Sequence, residues 1–138
     1  MVENEILIAT TRDRVFAVLA DAKRYAEWVV GAQDVRDADA TWPRAGAKLF
    51  HSTGVGPATV DDHTEVLECD EPERLVLLAH LGPLGDFNVE LQLEDVNGDG
   101  TKVVMRETAL APVGRIADPA LKPRNALSLR RLKELAES

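Results

Sequence analysis

Between Phe87 and Glu94 the chain alternates without a break. Phe87, Val89, Leu91 and Leu93 are apolar, while Asn88, Glu90, Gln92 and Glu94 are polar. Successive side chains on a strand point to opposite faces, so a strict period of two demands a sheet with one buried and one wetted face. Something must cover the buried face. The cover is predicted at the C-terminal end, from about Asp118. At about 100° per residue, Leu121, Asn125, Ser128, Leu129, Leu132, Leu135 and Ala136 fall on one arc of a helix, with Arg130 and Lys133 opposite. Pro119 suits a first helical turn, whereas Pro123 predicts a kink or a late start.

The remaining segments fit between these two. Glu3 to Ile8 reads as a strand. Thr10 is the expected N-cap, with Asp13 completing an approximate capping box. Val15, Val18, Leu19 and Ala22 follow with the spacing of a buried helical stripe. Asp21 is expected to break this helix, and a short second helix carries Tyr25 and Trp28. From Val29 the pattern turns to strands, among them Ala47 to Ser52, Ala58 to Glu68, Arg74 to Leu81, Phe87 to Asp95 and Thr101 to Leu110. Gly54-x-Gly56-Pro57, Pro72, Gly82-Pro83-x-Gly85 and Asn97-Gly98 supply the turns. Short connections make the strands sequential antiparallel neighbours. The expected fold is a single α+β domain over residues 1–138: a curved antiparallel sheet of about seven strands wrapped around a long C-terminal helix, with two short helices after the first strand.

Charge narrows the partners. Sixteen basic against twenty-four acidic residues leave a net charge of −8. Nucleic-acid binders cluster Lys and Arg against phosphates. Here the one basic cluster, Lys122 to Lys133, reads as the solvated flank of a helix, so no nucleic acid is expected. No apolar run nears the roughly 18 residues a membrane span needs, so no membrane insertion is expected either. The N-terminal stretch lacks a basic segment followed by an apolar core, and Cys69 is the sole cysteine. Both suit a cytoplasmic protein. A homodimer is one arrangement open to such a chain.

The order of elements, together with RDRVFAVLADAKRYAEWV after the first strand, GVGPATVDDHTEVLECDEPERLVL in the middle strands, GTKVVMRETAL in the last strand and LKPRNALSLRRLKELAE at the end, resembles the SRPBCC superfamily. That group includes the START-type and birch-pollen-allergen-type domains, and the polyketide cyclase/dehydrase type is the nearest in look. The resemblance implies a helix-grip fold. Its members range from lipid carriers to cyclases, so it implies no single activity and carries over no catalytic motif.

Several constellations bear on chemistry. Asp95, Asn97, Asp99 and Gly100 copy the first half of an EF-hand loop, but its twelfth position is Arg106 rather than the bidentate Glu that calcium needs. A hairpin turn is the better reading. Cys69 sits among Glu68, Asp70 and Glu71, where negative charge opposes a thiolate. His51, His63 and His80 fall on three strands, with His51 expected to face inward and His63 outward, so no metal site and no cofactor are expected. His51 and Asp62 share the inward phase on neighbouring strands and form a candidate catalytic acid–base pair. Glu107 is in phase with Val103 and Met105 and is expected inward, where an ion pair with Arg124 on the flank of the helix is open to it. Asn125 and Ser128 lie mid-arc, where a polar group needs a partner.

These features support three readings. The leading one is a binding module for a small hydrophobic molecule (lipid, polyketide or aromatic), enclosed by Trp28, Leu77, Phe87, Leu91, Met105, Leu129 and Leu132, with Glu107, Asn125 and Ser128 as polar lining. The second is a polyketide aromatase/cyclase-type enzyme using His51 and Asp62. The third is a protein-interaction module with a filled core.

Overall fold

A computed structural model describes residues 1–80, 85–110 and 118–138. Strand β1 (Val2–Ile8) leads to helix α1 (Arg12–Ala20), a 3-10 turn (Ala22–Arg24) and the short helix α2 (Tyr25–Trp28). Six strands follow: β2 (Ala32–Ala38), β3 (Lys48–Val55), β4 (Ala58–Asp70), β5 (Arg74–His80), β6 (Asp86–Val96) and β7 (Gly100–Ala109). Helix α3 (Asp118–Glu137) ends the chain. All seven strands form one antiparallel sheet in the order β1-β7-β6-β5-β4-β3-β2. This is a helix-grip α+β fold.

Local chemistry places the elements. The α1 N-cap is Thr11, whose hydroxyl accepts from Arg14 N at 3.3 Å. The expected cap, Thr10, is one residue early: its carbonyl accepts instead from Thr101 Oγ1 at 2.8 Å and fastens the loop to β7. Asp21 closes α1 and then caps the 3-10 turn through Lys23 N. Between β3 and β4 the hairpin is tight: a Cβ on Gly54 would lie 2.2 Å from Ala58 O, and its φ is +146°. Only glycine fits there. Helix α3 does not start late: it runs from Asp118 with Pro123 inside it. The ring forgoes one backbone bond near the N-terminal end, where the helix is also tied to β1. The Leu81 end of the predicted fifth strand and the Gly82-Pro83 turn lie outside the described residues.

The inner face of the sheet and the apolar arc of α3 form the core. Leu49, Val66, Leu75, Leu77, Leu91, Leu93, Val103 and Met105 from the sheet meet Leu129, Leu132 and Ala136 from α3, with Val15, Phe16, Leu19 and Trp28 from the short helices. Phe87 is buried too, but in a smaller cluster with Val2 and Leu121 at the start of α3. Val60, in the same phase of β4 as Thr64 and Val66, is 44% exposed. Helix α3 is bound along edge strand β1 at both ends. Asn4 Nδ2 donates to Lys122 O at 3.1 Å and Lys122 Nζ to Glu3 O at 3.0 Å, while Ala9 N donates to Glu137 Oε2 at 2.8 Å.

The outer face carries charge instead. Glu3, Arg106, Glu90, Arg74 and Glu68 form a row of alternating sign across β1, β7, β6, β5 and β4, with contacts of 3.1, 3.1, 2.7 and 3.0 Å. Hydrogen bonds from Arg74, then Arg106, hold the Glu90 carboxyl below its ordinary value.

Leu129 is fully packed between helix and sheet. Leu129→Asp is expected to lower unfolding stability by about 3–5 kcal/mol, the cost of an uncompensated buried charge. Denaturant unfolding of both proteins checks this, and an unchanged midpoint would contradict the packing.

Candidate functional site

The polar residues of the inner face gather on two sides of α3. On one side is a buried relay. His51 Nε2 lies 3.0 Å from Thr64 Oγ1, and that hydroxyl lies 2.9 Å from Tyr25 Oη. The other ring nitrogen, Nδ1, meets Thr53 Oγ1 at 3.2 Å and Ser52 O at 3.3 Å. The Tyr25 and His51 rings pack with centroids 5.3 Å apart. Burial pushes the Tyr25 phenol up to about 12, against a smaller downward pull from Thr64. Burial also lowers the His51 pKa, opposed by the Ser52 carbonyl and the Asp62 charge, so at neutral pH the ring is uncharged.

The β3–β4 register sets Asp62 directly across from His51. Asp62 Oδ1 accepts from His63 N at 2.9 Å, and its charge acts on the imidazole. Thr64 and Tyr25, which sequence reasoning did not single out for this role, are the inner partners of His51. Thr64 carried a signal in its inward phase with Val66. Tyr25 carried none, since the contact spans 39 residues of chain.

On the other side, Glu107 is buried with only 1% of its surface exposed. Arg124 Nη1 approaches its two carboxylate oxygens at 3.4 and 3.5 Å. Burial raises the Glu107 pKa, and the Arg124 charge is the main force against it. Arg124 Nε also donates to Val30 O at 2.9 Å, and Val30 N donates to Ser128 Oγ at 3.0 Å. Helix α3 therefore takes both polar groups of Val30, and Ser128 uses its oxygen on the loop after α2.

Asn125 lies beside these groups, fully buried. Its amide is near enough to help lower the Glu107 pKa, yet without reaching hydrogen-bond geometry. Neither Nδ2 nor Oδ1 has a partner among the described residues. The apolar residues expected around a ligand, Trp28, Leu77, Phe87, Leu91, Met105, Leu129 and Leu132, are all buried. Surface hollows lie elsewhere. One of about 320 Å³ is lined by Arg14, Asp21, Arg24 and Leu135. Another, about 670 Å³, lies between the 3-10 turn and β2, beside Lys23 and Val35. Among the described residues no helix is long and apolar enough to cross a membrane.

Residues 9–137 match the family described as Activator of Hsp90 ATPase homolog 1-like protein, and the chain belongs to that family. The family has the SRPBCC-type fold, so the superfamily that the sequence resembles is the one it belongs to. No curated protein matches significantly. Among solved structures, a protein from Nitrosomonas europaea has 12% identity and a TM-score of 0.74, over 98% of this chain and 92% of that one. One from Rhodobacter sphaeroides has 22% identity and a TM-score of 0.73, over 96% and 89%. The di-domain ARO/CYC BexL, from a biosynthetic pathway, has 15% identity and a TM-score of 0.71, over 99% of this chain and 50% of that one. At these identities the likeness is one of fold.

The raised Glu107 pKa fixes a pH dependence. A carboxyl whose folded pKa exceeds its unfolded one stabilises the fold fully below the unfolded pKa. That contribution is lost as pH rises through the folded pKa. Glu107→Gln, which cannot ionise, is therefore expected to gain in stability relative to the parent as pH rises from about 4 to neutrality. Paired melting curves across that range measure it. A constant difference would show that Glu107 titrates normally.

Proposed function

We propose that this chain binds a small, mostly apolar molecule between the inner face of the sheet and α3, and that Asn125 holds the molecule's one polar group. The observation that carries this reading is the Asn125 amide, fully buried with neither its donor nor its acceptor partnered among the described residues. Such a group costs roughly 1–3 kcal/mol unless something satisfies it. A carbonyl or hydroxyl on the guest does so, and the leucines around it accept the rest. Arg124 already faces Glu107, so the charges there balance and a neutral polar group is favoured over an anion. The lone Cys69, half-buried and with its pKa raised by burial and by Glu71 and Asp70, suits a reducing cytoplasm.

A second reading, an aromatase/cyclase-type enzyme, draws on the Asp62–His51 register and on the Thr64–Tyr25 relay behind it. A neutral imidazole with a carboxylate opposite is suited to accept a proton. Native mass spectrometry of protein from its own host, comparing wild type with His51→Asn, separates the two readings. A carrier retains the same molecule in both, and an enzyme accumulates an unconverted one in the variant.

The binding reading is tested with naphthalene and its hydroxyl derivative naphthol as fluorescent guests. Asn125→Leu keeps the volume and removes the amide. It is expected to leave naphthalene affinity near that of the parent and to weaken naphthol by about 1–2 kcal/mol. Equal changes for the two guests would overturn the role of Asn125, and binding of neither guest to wild type would overturn the site.

A further inference from the structure

On the outer face, away from that site, four side chains stand in a row across four strands. Phe50 on β3 is in register with His63 on β4, and His80 on β5 with Asp86 on β6. Thr64 pairs with Ala79, so the β4–β5 ladder brings His63 beside His80. Their ring centroids are 4.1 Å apart, with the planes inclined at 41°. Phe50 packs on the far side of His63, with centroids 6.1 Å apart. At the other end, His80 Nδ1 donates to Asp86 Oδ1 at 2.5 Å. In the neutral ring that bond sets the tautomer of His80, with the proton on Nδ1 and the lone pair on Nε2. A carboxylate behind an imidazole is also the arrangement that orients a metal-bound histidine and raises its basicity.

We propose that His63 and His80 form a two-histidine site for a divalent transition ion of the zinc, nickel or copper kind, with Asp86 orienting His80. Imidazole nitrogens suit these ions, and two rings presented side by side by neighbouring strands can chelate one. Among the described residues no three or more His, Cys, Asp and Glu side chains gather as a metal set. Water therefore completes the coordination, and the affinity is micromolar rather than that of a structural zinc site. Nearby charges are mixed: Lys48 opposes positive charge at His63, while Asp62 and Glu65 favour it. Burial, then His80, lowers the His63 pKa. His51 takes no part, because it lies on the inner face. The ion would clip β4 to β5 on the face opposite the ligand site.

The test uses the whole chain, stripped with EDTA and titrated calorimetrically with zinc chloride and with nickel chloride. One ion per chain is expected. His63→Gln and His80→Gln should each weaken binding at least about ten-fold, and Asp86→Asn by about 10–100-fold. Metal should raise the melting temperature of wild type but not of the two histidine variants. Ring NMR signals give a check that needs no variant: nickel should broaden those of His63 and His80 before that of His51. An isotherm unchanged by both histidine substitutions, nickel broadening centred elsewhere, or no binding to wild type at micromolar metal would each overturn the site.

Discussion

Glu107 is a carboxylate in a place where a carboxylate is expensive. It sits on β7 beneath α3, and moving such a group out of water costs several kcal/mol even after relaxation. Arg124 is the group that opposes this cost, and because its side chain lies at the boundary with solvent its own burial is partial. The guanidinium does not serve Glu107 alone. By donating to Val30 O it also fixes the loop between α2 and β2, and Ser128, one helical turn on, takes the adjoining Val30 N–H. One face of α3 therefore seals the apolar core, while its flank binds the last strand to the loop that leads into the second. This junction shares the positioning of α3 over the sheet with the bonds that tie the helix to β1 at both ends.

Much of the architecture was legible because it rests on periodicity. The alternation from Phe87 to Glu94 fixed β6 and its inward face. The arc through Leu121, Asn125, Leu129 and Leu132 fixed the cover, and all four are buried. What periodicity does not carry is register. The inward phase of His51 and Asp62 could be read, but not that they stand opposite one another. Nor could it be seen that His63 meets His80, since that depends on the length of a turn rather than on either strand. The one-residue displacement of the α1 cap from Thr10 to Thr11 has a similar origin. Both residues offer a hydroxyl, and the choice is made by Thr101, which engages the Thr10 carbonyl from ninety-one positions away. The late start expected at Pro123 failed for another reason. A propensity measured in isolated helices takes no account of the anchors that hold the first turns of α3 to Asn4 and Glu3.

The two polar groups on the inner face are unequal in kind. The Tyr25–Thr64–His51 chain is closed on itself, with each of its three side chains hydrogen-bonded to a neighbour. A chain of that sort rigidifies a core and fixes its geometry. Asn125 is open, since among the described residues both ends of its amide lack a hydrogen-bond partner. Structures sharing this fold at identities of 12–22% keep the frame while the side chains on it differ. Among the described residues, the buried side-chain polar atoms with capacity to spare are those of the whole Asn125 amide and Asn4 Oδ1.

The charged row on the outer face has a consequence of its own. Glu3, Arg106, Glu90, Arg74 and Glu68 come from five strands, and each interior member faces opposite charges on both sides. A single reversal in the middle, Glu90 to a lysine for instance, would turn two attractions into two repulsions at once, whereas a reversal at the Glu3 or Glu68 end spoils only one. The row is therefore an epistatic unit: its centre is free to drift only if both neighbours change with it, and its ends can wander alone.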